Sequence, residues 1–190
     1  MKIADANLVL MEASQSGDLE SVKAALSLGA DVHMKTDKAL WMASTEGHSE
    51  IVKILLKAGA DVRVSDDIAL RWAAHNGHAE TVKVLIESGA DIHACRDTAF
   101  RWAVLNGQAK TVEIFIDAGA DVHMHYDDAL RVASEYGHAD VVNMLLDAGA
   151  DVHANDDAAL RIASEYGRTE VVNILREHNE RPSFAPVRMS

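Results

Sequence analysis

The tripeptide Gly-Ala-Asp recurs at Gly29, Gly59, Gly89, Gly119 and Gly149, a period of 30 residues without a single insertion. A fixed period of roughly 20 to 50 residues means that each copy is one supersecondary piece, too small for its own core, that buries its apolar face only against its neighbours. Every other reading of the chain follows from that repeat, seen most clearly from Asp127 to His153 (DDALRVASEYGHADVVNMLLDAGADVH).

Within that copy, Ala129, Leu130, Val132 and Ala133 lie on one stripe of a short helix. Asp127, just before them, is placed to accept the free amide hydrogens of the first turn. The same Asp stands at 37, 67, 97 and 157, with Asn7 in the first copy. Gly137 ends the helix in the left-handed conformation of a tight reversal. A second helix is expected from about Ala139 to Asp147, with Val142, Leu145 and Leu146 at i, i+3 and i+4 and Asp140 in its first turn. Gly149 closes it, and Asp151 to Asp156 is expected to reach back in extended form to the next helix. The repeat is thus a helix hairpin plus a connector.

These residues resemble the ankyrin repeat. The likeness lies in Ala-Leu followed by small residues, then Gly-His (Gly47-His48, Gly77-His78, Gly137-His138), then Val-Val or Ile-Val before Leu-Leu, then Gly-Ala-Asp-Val/Ile. It covers residues 1 to about 178 in six registered copies. Ala-Leu-Arg replaces the usual Thr-Pro-Leu-His opening, and the connector is about three residues shorter than that of the usual 33-residue repeat. In that shortening the chain is similar to ankyrin arrays of giant DNA viruses and some bacteria. The resemblance implies an all-α, ankyrin-like solenoid of six stacked helix pairs with short connectors. The pairs span about 1–28, 29–58, 59–88, 89–118, 119–148 and 149–178 as one domain, followed by a tail over 179–190. Polar Gln15, Ser16, Glu20 and Lys23 suit a terminal repeat. Arg176, where inner copies carry Leu56, Ile86, Ile116 or Leu146, suits a C-terminal cap. The tail holds both prolines, Pro182 and Pro186, and Phe184 within it could fold back on the last pair.

The formal net charge of -12 repels phosphate backbones, and no run of basic residues offsets it, so nucleic acid is not expected as a partner. The single cysteine, Cys95, excludes an internal disulfide and fits a reducing, cytoplasmic setting. Residues 1–5 lack a signal-peptide core, and no apolar run approaches the roughly 18 residues that span a bilayer, so no membrane role is expected.

Ten histidines raise the question of metal. His93, Cys95, His123 and His125 fall in adjacent connectors, yet neighbouring helices stack about 8–10 Å apart, too far for bonds of about 2.0–2.3 Å without long reaches. No metal or cofactor is expected; His33, His93, His123 and His153 read as a column that hydrogen-bonds the connector. The thiol of Cys95 has His93 nearby but no anion-binding loop, so no enzyme is expected. Arg71, Arg101, Arg131 and Arg161 are expected to ion-pair with Asp67, Asp97, Asp127 and Asp157. Trp72 and Trp102 are expected in the core between repeats.

Comparison of the copies with one another separates scaffold from surface. Variable columns are confined to the connector and first helix, the positions that the ankyrin resemblance places along a concave groove. The expected partner-binding residues are Asp66, Ile68, His75, Arg96, Leu105, His125, Tyr126, Asp128, Glu135, Tyr136, Asp156, Glu165 and Tyr166. All three tyrosines are among them, beside four carboxylates, and tyrosine is a common interface anchor. The expected function is a non-catalytic protein-interaction module, an effector or adaptor acting as a monomer on a basic and partly apolar protein surface. The alternative is a structural or oligomer-forming array.

Overall fold

A computed structural model describes residues 3–180, with only the backbone of residues 3, 4, 125 and 126. The expected tail from 181 onward, with Phe184, therefore lies outside the described residues. Among those described, twelve helices and no strand occur: α1 Ile3–Ser16, α2 Leu19–Ser27, α3 Met34–Thr45, α4 Ser49–Lys57, α5 Val64–His75, α6 Ala79–Glu87, α7 Ala94–Leu105, α8 Ala109–Asp117, α9 Met124–Tyr136, α10 Ala139–Asp147, α11 Ala154–Glu165 and α12 Thr169–Glu180. They form two compact units, Met1–Ala120 with α1–α8 and Asp121–Ser190 with α9–α12. Within each unit, odd helices pack on odd helices and even on even, as in a solenoid of stacked hairpins.

The core of each pair is the predicted stripe. Leu40, Leu70, Phe100 and Leu130 on first helices, and Val52, Val82, Val112 and Val142 on second helices, are buried. Second helices end on glycines: Gly59 takes φ +101° while Ala60 N–H donates to Leu55 O at 3.0 Å, the bond pattern of a left-handed C-cap. α10 spans the expected Ala139–Asp147. α12 runs three residues longer than its counterparts and ends at Glu180, so Asn179 and Glu180, expected in the tail, belong to the helix. Pro182 is the next residue that cannot supply an amide hydrogen.

The connector departs from expectation. It is not extended: it closes through a left-handed turn, with Lys35, Thr36 and Asp37 at φ 53°, 62° and 53° and the same geometry at Ser65–Asp67, Cys95–Asp97 and Asn155–Asp157. Left-handed backbone costs an L-residue about 1–2 kcal/mol, so something must hold it. The conserved-position aspartate does so, though not by capping its own helix as expected. Its Oδ1 accepts the backbone amide 24 residues on, in the next repeat: Asn7 from Asp31 (2.7 Å), Asp37 from Asp61 (3.0 Å), Asp67 from Asp91 (2.9 Å) and Asp127 from Asp151 (3.0 Å). The chain must turn left-handed to aim that carboxylate at its neighbour. A side-chain N-cap does occur at the second helix α2, where Asp18 accepts from the Ser21 hydroxyl at 2.7 Å and from Ser21 N–H at 3.0 Å, bonds that hold its carboxyl below the ordinary range.

A second ladder runs at the other end of the first helices. Gly47 is left-handed (φ +79°), and a Cβ there would lie 2.5 Å from His78 Nδ1. The imidazole passes over this glycine so that His78 Nε2–H donates to Thr45 O at 2.9 Å, as His48 does to Gln15 O (3.1 Å). Arg168 Nε does the same to Glu135 O at 2.8 Å. Gly-His is therefore a staple between repeats, closing a helix-end carbonyl that would otherwise lack a partner.

Burial pushes the Asp67 carboxyl up, against the bond from Asp91 N–H that lowers it. A raised folded value favours the protonated form, so the stability this group contributes is greatest below its unfolded value near 3.9 and is lost as pH rises through the folded value. Asp67→Asn, which copies Asn7, should therefore leave the midpoint of denaturant unfolding at pH 7 unchanged or higher. Any gain should vanish at low pH. Asp67→Ala should lower stability by about 1–2 kcal/mol, because the Asp91 amide loses its acceptor. A larger loss for Asn than for Ala would contradict the ladder.

Candidate functional site

The first-helix face carries the predicted binding columns, and each compact unit presents its own version. In the first unit, α3, α5 and α7 stack so that the same column lies on one surface. Asp66 and Arg96 are exposed in the left-handed turns, while Ile68, His75 and Leu105 are half-buried along the helices. In the second unit Tyr136 and Tyr166 are 50% and 52% exposed, Asp156 and Glu165 are exposed, and Asp128 and Glu135 are half-buried. The side chains of His125 and Tyr126 lie outside the described residues.

Arg71, Arg131 and Arg161 take partners other than the turn aspartates. Arg71 instead folds back on its own connector, Nε donating to Asp66 O at 3.0 Å and Nη2 to Ser65 O at 2.9 Å, and Arg161 does likewise to Asp156 O and Asn155 O. A planar fork of donors suits the two adjacent carbonyls that a left-handed turn presents together. Arg131 differs: it holds Asp128 Oδ1 (2.5 Å) and Glu135 Oε2 (3.2 Å). Two of the four carboxylates expected around the tyrosines thus share one guanidinium within the protein.

The histidine column does bond the connector, through the turn aspartates. His33, His93, His123 and His153 place Nδ1 at 3.1, 2.6, 3.2 and 2.7 Å from Oδ1 of Asp37, Asp97, Asp127 and Asp157. Arg63 replaces histidine in the third copy and reaches on, its Nε donating to Gly89 O at 2.8 Å. His153 shows the terminal version: the bond to Asp157, with a further one to Asn179, raises its imidazole above the ordinary value. Asp157, with no described repeat beyond it, is exposed where its equivalents are buried. Among the described residues no group of three or more His, Cys, Asp or Glu is placed to hold a metal ion. Cys95 is an exposed free thiol in a left-handed turn.

The tryptophans were expected in the core and are not there. Trp72 and Trp102 are half-buried on the first-helix face, their ring centroids 5.6 Å apart, and His75 packs edge-on against both at 5.5 and 5.3 Å. Asn106 Nδ2 lies 3.1 Å from His75 Nδ1 and fixes that ring. The variation of this column, Glu12, Met42, Trp72, Trp102, Val132 and Ile162, was the missed signal, since a core column holds its volume and polarity. Beside it, Lys38 lies 5.9 Å over the Trp41 ring. Lys35, Lys38, Arg71, Arg96 and Arg101 share α3, α5 and α7 with exposed Asp66 and buried Asp37, Asp67 and Asp97, so these helices carry both signs of charge.

The family described as "Ankyrin repeats (3 copies)" matches residues 10–96 and 100–184. Solved structures similar to this chain include the human ASB11 ankyrin repeat domain (29% identity, 89% of this chain and 82% of that one, TM-score 0.79). The ankyrin repeat domain of Bcl-3, of the IkappaB family, matches at 25% identity over 90% of this chain and 85% of that one, TM-score 0.73. The Bdellovibrio bacteriovorus predatory endopeptidase Bd0816 in complex with immunity protein Bd3460 shares the fold (24% identity, 89% of this chain and 97% of that one, TM-score 0.72). A search of curated proteins returns no match. No helix among the described residues is long and apolar enough to cross a membrane.

If the tryptophans belong to a surface and Leu70 to the core, truncation should separate them. Leu70→Ala should cost about 2–5 kcal/mol of unfolding free energy. Trp72→Ala with Trp102→Ala should together cost less than that single change, and equal or larger loss would return the pair to the core.

Proposed function

Because this chain belongs to the ankyrin-repeat family, a family of protein-interaction modules, we propose that it holds a protein partner on its first-helix face as an effector or adaptor without chemistry of its own. The observation that carries this reading is the aromatic content of that face: Tyr136 and Tyr166 exposed in one unit, Trp72 and Trp102 half-buried in the other. Tyrosines left half in water on one face add little to folding and are of the kind that usually anchors an interface. The turns add support. Asn155 and Asp156 tolerate left-handed backbone, but Thr36, Cys95 and Arg96 have no preference for it. Residues kept against local conformational cost at exposed positions point to a use for their side chains.

In the second unit, Asp156 and Glu165 remain beside Tyr136 and Tyr166 after Arg131 has taken Asp128 and Glu135. That surface suits a basic and partly apolar partner region, with charge governing the approach and the rings governing residence. Capture from lysate by the intact chain should fail for a variant in which Trp72, Trp102, Tyr136 and Tyr166 are all alanine. With the captured protein purified, Tyr136→Ala with Tyr166→Ala should speed dissociation by about tenfold or more, whereas Glu165→Lys should chiefly slow association and flatten its salt dependence. Equal capture by the quadruple variant would place the site elsewhere.

A further inference from the structure

We infer that the end of α11 is a binding site for an arginine side chain of a partner protein, seated over Gly167 with its guanidinium on Glu165 O and on the Glu165 carboxylate. This rests on the proposed use of the second unit for a basic and partly apolar partner, and it names the side chain selected and the atoms that receive it. The carrying observation is that the same site is built twice and is filled once within the protein itself. The tripeptide Glu-Tyr-Gly stands at the end of a first helix at Glu135 to Gly137 and again at Glu165 to Gly167. In the first copy Gly137 is left-handed (φ +80°), a Cβ there would lie 2.9 Å from Arg168 Cδ, and Arg168 Nε donates to Glu135 O at 2.8 Å. The second copy repeats that backbone: Gly167 is left-handed (φ +65°), and Arg168 N–H donates to Ala163 O at 2.8 Å as His138 N–H does to Ala133 O at 2.9 Å. Yet a Cβ at Gly167 would meet nothing within 4 Å, and among the described residues no donor reaches Glu165 O.

The chemistry of the second copy selects a cation. Glu165 O is the last carbonyl of α11, at the negative end of the helix dipole, where a positive group is favoured. The carboxylate beside it is differently placed in the two copies. Arg131 holds Glu135 Oε2 at 3.2 Å, whereas its counterpart Arg161 bonds Asp156 O at 3.0 Å and Asn155 O at 3.2 Å, which leaves the exposed Glu165 carboxylate outside the described ion pairs. Arg168, the adjacent cation in sequence, is turned to the preceding repeat by its bond to Glu135 O. Among cations the guanidinium fits best, because its donors lie in one plane and meet a carbonyl and a carboxylate together, which the single ammonium of lysine does not. The protein's own staples follow the same rule: histidine donates to Gln15 O and Thr45 O, and arginine to the carbonyl of a glutamate. Tyr166, 52% exposed, adds an aromatic ring at the rim for the arginine stem or fork.

The test follows the Gly167 amide signal of the intact chain by NMR, with the Gly137 amide, whose cradle Arg168 fills, as the internal control. The probes are the peptide Ser-Leu-Arg-Leu-Ser, blocked at both ends, and its counterparts with lysine or citrulline in place of arginine. The arginine peptide should move Gly167 and leave Gly137 still, with an affinity at least about fivefold above that of either counterpart. Glu165→Gln, which keeps the carbonyl and removes the charge, should shrink the margin over citrulline. Arg168→Ala should uncover the first copy, so that the arginine peptide moves Gly137 as well. Silence of Gly167 toward the arginine peptide up to about 10 mM, beyond the millimolar range of a weak contact, would overturn the inference in the unaltered protein, whatever the variants do. Equal affinity for the lysine or citrulline peptide would overturn the choice of arginine. Movement of Gly167 on dilution of the protein alone, or on Arg181→Gln with Arg188→Gln, would give the site to a second copy or to this chain's own arginines and overturn the partner as its occupant. All of these outcomes are read without a captured protein, whereas the proposed function stands or falls on capture by the quadruple variant.

Discussion

The structure depends on one hydrogen bond repeated: a carboxamide or carboxylate oxygen at the start of a first helix accepting an amide hydrogen from the neighbouring repeat. A connector this short has few ways to satisfy its own backbone, and buried amides without acceptors are costly. Asn7, Asp37, Asp67 and Asp127 supply the acceptors from outside the connector. To aim them, the chain accepts left-handed backbone at residues with no taste for it. Once that turn exists, its carbonyls point together and an arginine such as Arg71 can clamp them. The aspartate and the strained turn are therefore one device, to which Arg71 and Arg161 add a clamp; the turn at Lys35–Asp37 forms with Trp41 in that column.

Much of this was legible in the string. The second helices, their glycine ends and the buried Leu and Val stripes follow from periodicity, which reports burial directly. What the string could not show is which of two partners a polar side chain chooses. Asp127 ahead of a helical stripe looks like a cap, and local capping is the commoner outcome; the competing acceptor role needs an amide 24 residues away, which no local rule sees. The arginines failed for the same reason, since Arg71 beside Asp67 looks like an ion pair until the turn offers it carbonyls.

The tryptophan column failed differently. Size and hydrophobicity argued for the core, whereas variation between copies argued for the surface, and the second criterion was the sounder one for a chain that repeats itself. In a solenoid, net charge describes the solvent's view of the molecule and says little about any one face.

The two ladders also bear on how such a chain behaves under tension. Bonds from His48 to Gln15 and from His78 to Thr45, and those that Asp37 and Asp67 accept from the next repeat, join successive repeats. They are directional and fail within a fraction of an ångström, unlike the apolar contacts beneath them, which slide before they part. A load drawn along the chain would therefore be met within the first unit by a series of brittle links of similar strength. Extension would proceed by discrete steps, one repeat yielding while the next stays intact, and a released repeat would find its acceptor still in place when the load falls.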